Sequence, residues 1–149
     1  MAEADVYDDL IMEHIRNARN YRAPARGQLM VTGFNPLCGD EVALYLGVRD
    51  GRIADLVFQC TCCGISMASA SILTEWMTGR DLAEAKAGVQ AFVAQLDGHA
   101  RPDRARLTPE QEALLETARK FPSRARCAAL PWSTIERALN EPGAAARVR

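Results

Sequence analysis

The sequence predicts an α+β domain, a three-stranded antiparallel sheet with helices packed on one face. Three observations predict it. Val42, Leu44, Leu46 and Val48 alternate with Ala43, Tyr45 and Gly47, the period of two of a strand with one buried face. Asp50-Gly51 follows as a two-residue hairpin signal, and 53–60 reads as the returning strand. From Gly64 the period becomes helical, with Ile65, Ala68, Ser69, Ile72 and Trp76 on one face.

The remaining elements follow in order. Tyr7, Leu10, Ile11, His14 and Ala18 form the stripe of one amphipathic helix, with Asp5 as the expected cap and 22–26, containing Pro24, as its end. Residues 28–34 are short and partly β-branched and supply the first strand. The helix after Gly64 carries Ala68, Ser69, Ala70 and Ser71, all small, so it can approach its neighbours closely, and Gly79 suits its stop. Asp81 and Glu84 have capping-box spacing ahead of Leu82, Ala85, Val89, Phe92, Val93 and Leu96. Residues 99–107 read as a polar loop. Thr108, Pro109 and Gln111 start another helix, whose apolar side is Leu114, Leu115 and Ala118, and Phe121-Pro122 interrupts it. Trp132, Ile135 and Leu139 mark a last helix, in which Pro131 is expected within the first turn. The reading is one domain over 1–141 and a frayed tail over 142–149.

Composition narrows the function classes. The chain has 149 residues, 48% hydrophobic and 25% charged, enough to bury a core without disulfide staples. A net charge of −1 gives no basic field for nucleic acid or an anionic membrane. No run approaches a membrane span, and the acidic start Met1-Ala2-Glu3-Ala4-Asp5 is no secretory signal. The expected setting is a reducing cytoplasm, and the expected partner a protein or a small inorganic ligand.

There are five cysteines, Cys38, Cys60, Cys62, Cys63 and Cys127. In a reducing compartment they read as ligands, nucleophiles or buried thiols before disulfides. Zinc and iron–sulfur clusters both take thiolates, and a closed site wants four ligands. Cys38 and Asp40 flank Gly39 on a tight turn and can aim at a common point. Cys63 ends the third strand, and Cys127 lies at or just before the last helix. Helix N-termini favour a thiolate, which predicts lowered thiol pKa values there. A carboxylate is a harder and more exchangeable donor than a thiolate, so Asp40 would keep a metal or cluster labile. The spacing contains no CxxC pair and by itself leaves inert buried thiols open.

Longer strings carry more. Asn35-Pro36-Leu37-Cys38-Gly39-Asp40 resembles the first ligand loop of the IscU/NifU N-terminal family of U-type iron–sulfur cluster assembly proteins. Cys63-Gly64-Ile65-Ser66-Met67-Ala68-Ser69-Ala70-Ser71 resembles that family's second cysteine and following helix, and Arg126-Cys127-Ala128-Ala129-Leu130-Pro131-Trp132 its third. The insertion over 99–121, and Arg126 where a histidine usually stands, resemble the SufU-like branch. The resemblance implies a SufE/IscU-like fold with the metal site at one exposed end. Its implied ligands are Cys38, Asp40, Cys63 and Cys127, for zinc or a transient iron–sulfur cluster. It also implies a cysteine desulfurase (SufS-like) as partner and downstream iron–sulfur assembly or recipient proteins. The chain would be a zinc-dependent sulfurtransferase or a non-enzymatic scaffold. Cys38 would accept sulfur on the SufU-like model, and Cys127 on the IscU-like one.

Cys60-Thr61-Cys62 departs from the family pattern, which commonly has glycines there. These thiols can compete as ligands, relay a persulfide or be inert, and a thiol redox sensor or oxidoreductase using Cys60, Cys62 and Cys63 is the rival function. His14 and His99 are expected packed or solvated. The arginines of 101–106, and Arg124 with Arg126, are candidates to orient an acidic partner or stabilise a persulfide anion, with a solvated basic loop as the default. Arg126, beside a ligand, is expected to bias local charge.

Overall fold

The computed structural model describes residues 3–149, with the side chains of 3–7 and 142 outside the description. The expected packing of Tyr7 falls on those side chains. Five α-helices and a four-stranded sheet form the domain: α1 (Glu3–Arg16), β1 (Leu29–Asn35), β2 (Asp40–Arg49), β3 (Arg52–Thr61), α2 (Gly64–Met77), α3 (Leu82–Leu96), α4 (Pro109–Lys120), α5 (Ala125–Asn140) and β4 (Ala146–Arg147). The helix α1 starts ahead of Asp5, so Asp5 lies within it rather than capping it.

The sheet is antiparallel in the order β3-β2-β1-β4. Three strands are those expected, and the fourth corrects the expectation of a frayed tail. Met30 and Leu29 pair with Ala146 and Arg147, and the Val148 N–H donates to the Gln28 carbonyl at 2.7 Å. The open edge of β1 offers unpaired backbone groups, which a passing segment can satisfy whatever its side chains.

Alternation puts Asp40, Val42, Leu44 and Leu46 of β2 on the buried face, and Leu56 and Phe58 of β3 beside them. The helices α2 and α5 cover this face, and the small residues of α2 make that possible. Ala68, Ser69, Ala70 and Ser71 are all buried, and the Ser69 hydroxyl donates to the Ala128 carbonyl at 2.5 Å, tying α2 to α5. Gly33 does the same for β1. A Cβ there would lie 1.9 Å from Thr134 Oγ1, so only glycine lets α5 lie this close. Trp132 of α5 is fully buried, with ring centroids 5.7 Å from Trp76 and 4.5 Å from Phe92. These contacts fix α5, and with it Cys127, against the sheet.

After Asp5, the later helix caps match their sequence signals with one exception. Thr108 and Gln111 form both bonds of a capping box. Asp81 accepts from the Ala83 and Glu84 N–H groups, but the Glu84 side chain pairs with Arg80 at 3.1 Å.

His14 is 2% exposed, and its Nδ1 lies 2.7 Å from Ser71 Oγ. Burial first, and then Arg19, hold its pKa below the ordinary 6.5, against the pull of Glu75, Glu110 and Glu13. The unfolded chain therefore binds a proton that the native state refuses, and stability must fall as pH drops below about 6.5. His14→Asn keeps a polar atom near Ser71 and cannot titrate. Urea denaturation between about pH 7.5 and 5 should show a stability slope in the wild type that is shallower in this variant.

Candidate metal centre

The site forms where the β1–β2 hairpin, the start of α2 and the start of α5 meet. The hairpin turn spans 36–39. The Asn35 side chain accepts from the Leu37 N–H at 3.1 Å, and its carbonyl from the Gly39 N–H at 2.8 Å. Gly39 has φ +75°, the left-handed region that glycine enters freely. This turn leaves Cys38 exposed and Asp40, the first residue of β2, buried.

Cys63 is the N-cap of α2. Its N–H donates to Asp40 Oδ1 at 3.0 Å, and the Ser66 hydroxyl lies 2.7 Å from Asp40 Oδ2. Burial alone pushes the Asp40 carboxyl up. The hydrogen bonds from Ser66, Cys63 and Cys38 outweigh it and hold the group below its ordinary 3.8.

Cys127 is the third residue of α5 and 1% exposed. The helix begins earlier than the sequence suggests, after a 3₁₀ turn over Pro122–Arg124. Pro131 therefore falls in the second turn, which corrects its expected first-turn place. Proline has no N–H, so the Cys127 carbonyl four residues back lacks its helical donor. Ser66 Oγ stands 3.0 Å from that oxygen. One hydroxyl thus faces Asp40 and the carbonyl that Pro131 frees, and its single proton serves one at a time.

The thiol of Cys127 departs from expectation. Burial, and then Cys38, Cys63 and Asp40 around it, push it up to about 12. The helix terminus favours a thiolate, but desolvation of so buried a sulfur outweighs that effect. A metal cation would reverse the balance, since a coordinating thiol is deprotonated outright.

Cys38 Sγ and Cys127 Sγ lie 3.5 Å apart, although 89 positions separate them. Ligand atoms of Cys38, Asp40 and Cys127 all fall within 4.8 Å of one another. Cys63 stands outside that triplet, but its thiol faces both Asp40 and Cys127. Tetrahedral zinc with Zn–S bonds of about 2.3 Å needs sulfurs roughly 3.8 Å apart. The spacing and the donor types both fit such an ion, and thiolates suit an iron–sulfur cluster equally.

Ser66 carries no ligand signal of its own, although Pro131 already signals a carbonyl in need of a donor. Arg124, a candidate anion stabiliser with Arg126, has its pKa raised by Cys127 first and then by Cys63, with Asp40 adding to it. Cys60 and Cys62 are joined to each other as a disulfide.

Ser66→Ala should strand the Cys127 carbonyl and loosen Asp40. The expected cost is about 1–3 kcal/mol in urea denaturation, with metal affinity lowered roughly 10–100-fold in chelator competition.

Comparison with known proteins agrees with this architecture. The family profile described as NifU-like N terminal domain matches residues 6–140. The zinc-dependent sulfurtransferase SufU of Bacillus subtilis is 33% identical over 134 residues, 90% of this chain and 89% of that protein. The iron-sulfur cluster assembly scaffold protein IscU of Thermotoga maritima is 29% identical over 140 residues, covering 91% and 94%. Among solved structures, FiSufU from Fervidobacterium islandicum AW-1 superposes with a TM-score of 0.78 at 27% identity, covering 93% of this chain and 99% of that one.

Proposed function

Because the chain belongs to the NifU-like N-terminal domain family, we propose that it serves iron–sulfur cluster assembly by accepting sulfur from a cysteine desulfurase at its Cys38, Asp40, Cys63 and Cys127 centre. The observation that carries this reading is the meeting of Cys38 and Cys127 sulfurs beside Asp40. The names of SufU and IscU relatives support the same class of work.

Cys38, Asp40, Cys63 and Cys127 would hold zinc, which when bound keeps their thiols deprotonated. The chain's own residues divide the remaining tasks. Asp40 is fixed from two sides by Ser66 and the Cys63 N–H. Cys127 is buried and locked in α5, whereas Cys38 sits exposed on a turn. Cys38 is therefore the mobile member, free to swing toward a partner. Its sulfur attacks the outer sulfur of the partner's persulfide, a partner thiol leaves, and Cys38 becomes the persulfide. Arg124 stands close enough to offset the added negative charge. Phe34 and Leu37, 60% and 74% exposed, flank the turn as apolar surface for such a partner. A cluster built at the same centre would be cargo, held by the same thiols.

No helix among the described residues is long and apolar enough to cross a membrane, and the reading places the chain in the cytoplasm with desulfurase and recipient proteins. The test is anaerobic incubation with a cysteine desulfurase and cysteine, followed by peptide mass mapping. Added sulfur on Cys38 is expected. Gain of neither persulfide nor cluster would overturn the proposal.

A further inference from the structure

The pair Cys60 and Cys62 has no role in the site described above, and its placement is specific. In the β2–β3 ladder, Val42 faces Cys60 and Glu41 faces Thr61. Val42 lies on the helix-covered face, so Cys60 opposite it lies on that side too. The strand β3 ends at Thr61, and Cys62 is the first residue beyond it. Cys60 packs on the core, and both side chains keep partial exposure. Their Cα atoms are 5.5 Å apart and their sulfurs are bonded. Cys62 is also the immediate chain neighbour of Cys63. A two-electron dithiol thus stands at the edge of a centre built from thiols.

Sulfur from a persulfide arrives at the wrong oxidation level for a cluster, whose bridging atoms are sulfide. Two electrons must reach it. We propose that the Cys60–Cys62 dithiol is a built-in reductant that converts persulfide sulfur carried by this chain into sulfide. The inference rests on the sulfur-acceptance reading above. The Cys62 sulfur attacks the outer sulfur of the loaded ligand cysteine, which leaves as a free thiol, and Cys62 becomes the persulfide. The Cys60 sulfur then attacks the inner sulfur of Cys62. The Cys60–Cys62 bond forms, the sulfur–sulfur bond of the persulfide breaks, and hydrogen sulfide departs with the two thiol protons. The dithiol has lost two electrons and the sulfur atom has gained them. A cellular low-molecular-weight thiol resets the disulfide by exchange. Outside oxidising compartments, a disulfide is usually transient and either catalytic or redox-sensing.

The experiment uses the full chain, reduced and then freed of reductant under anaerobic conditions. A cysteine desulfurase and stoichiometric cysteine are added, with sulfide measured in solution and sulfur counted on the protein by mass. The wild type is expected to release about one sulfide per chain and to end with Cys60 bonded to Cys62. Cys60→Ser is expected to hold the added sulfur as a persulfide on Cys62 and release little sulfide. Cys62→Ser is expected to hold it on the ligand cysteines. Equal sulfide release from Cys60→Ser and wild type would overturn the inference. So would a wild type that keeps its persulfide while Cys60 and Cys62 stay reduced. Absence of added sulfur on all three proteins is a different failure, one that removes the acceptance reading and this inference together.

Discussion

Cys127→Ser is expected to lower zinc affinity on the order of 100-fold or more, because even an outer-shell partner costs 10–100-fold and this residue would be a direct ligand. The effect should be large for a second reason. Cys127 stands at the middle of the candidate ligands: its sulfur is 3.5 Å from that of Cys38, and with Cys38 and Asp40 it offers ligand atoms within 4.8 Å of one another. Serine is a poor zinc donor of similar size, so the buried position tolerates it sterically. Chelator competition reads the affinity, and an unchanged far-ultraviolet circular dichroism spectrum shows that the helices persist. Cys62→Ser is the matched control. Its residue lies in the Cys60 disulfide rather than at the centre, so affinity should barely change. Equal losses from both variants would mean that the metal is held elsewhere.

Trp132→Ala is expected to cost about 3–5 kcal/mol, the range for removing a large buried aromatic. Trp132 is fully buried and touches Trp76 of α2 and Phe92 of α3. It thus pins three helices at one point. Its indole nitrogen is buried and has no hydrogen-bond partner among the described residues. Trp132→Phe discards that unpaired group and keeps most of the contact, so it should cost far less. Urea denaturation of both variants checks the ordering. Since α5 also carries Cys127, the alanine variant should lose metal affinity as well, through a loosened helix.

Much of this arrangement was legible in the residues, for identifiable reasons. The alternation around Leu44 and the Asp50-Gly51 turn specify β2 and β3, because a half-buried strand must repeat every second residue. Thr108, Pro109 and Gln111 specify the start of α4 through bonds local to four residues. The fourth strand was not legible. Ala146 and Arg147 are too few to alternate, and their pairing is dictated by the free edge of β1 far away in sequence. The start of α5 was displaced for a similar reason. Pro131 argues for a first turn if only local rules act, but Ser66 of α2 supplies the missing donor and permits proline deeper in the helix.

The site divides along the same line. The strings around Cys38, Cys63 and Cys127 marked candidate residues, and the fold brings Cys38 and Cys127 together beside Asp40, with Cys63 outside that triplet. Their electrostatics could not be read from position alone. The thiol of Cys127 sits near a helix start, yet burial decides its state. Asp40 is also buried, yet three hydrogen-bonding neighbours hold its pKa down. Both outcomes depend on which groups surround the atom, and that is tertiary information.

Zinc-edge X-ray absorption of the zinc-loaded wild-type chain tests the shared centre most directly. The account predicts three sulfur neighbours at about 2.3 Å and one oxygen at about 2.0–2.2 Å. A shell of four sulfurs, drawing in Cys60 or Cys62, or a shell with fewer than three, would contradict it.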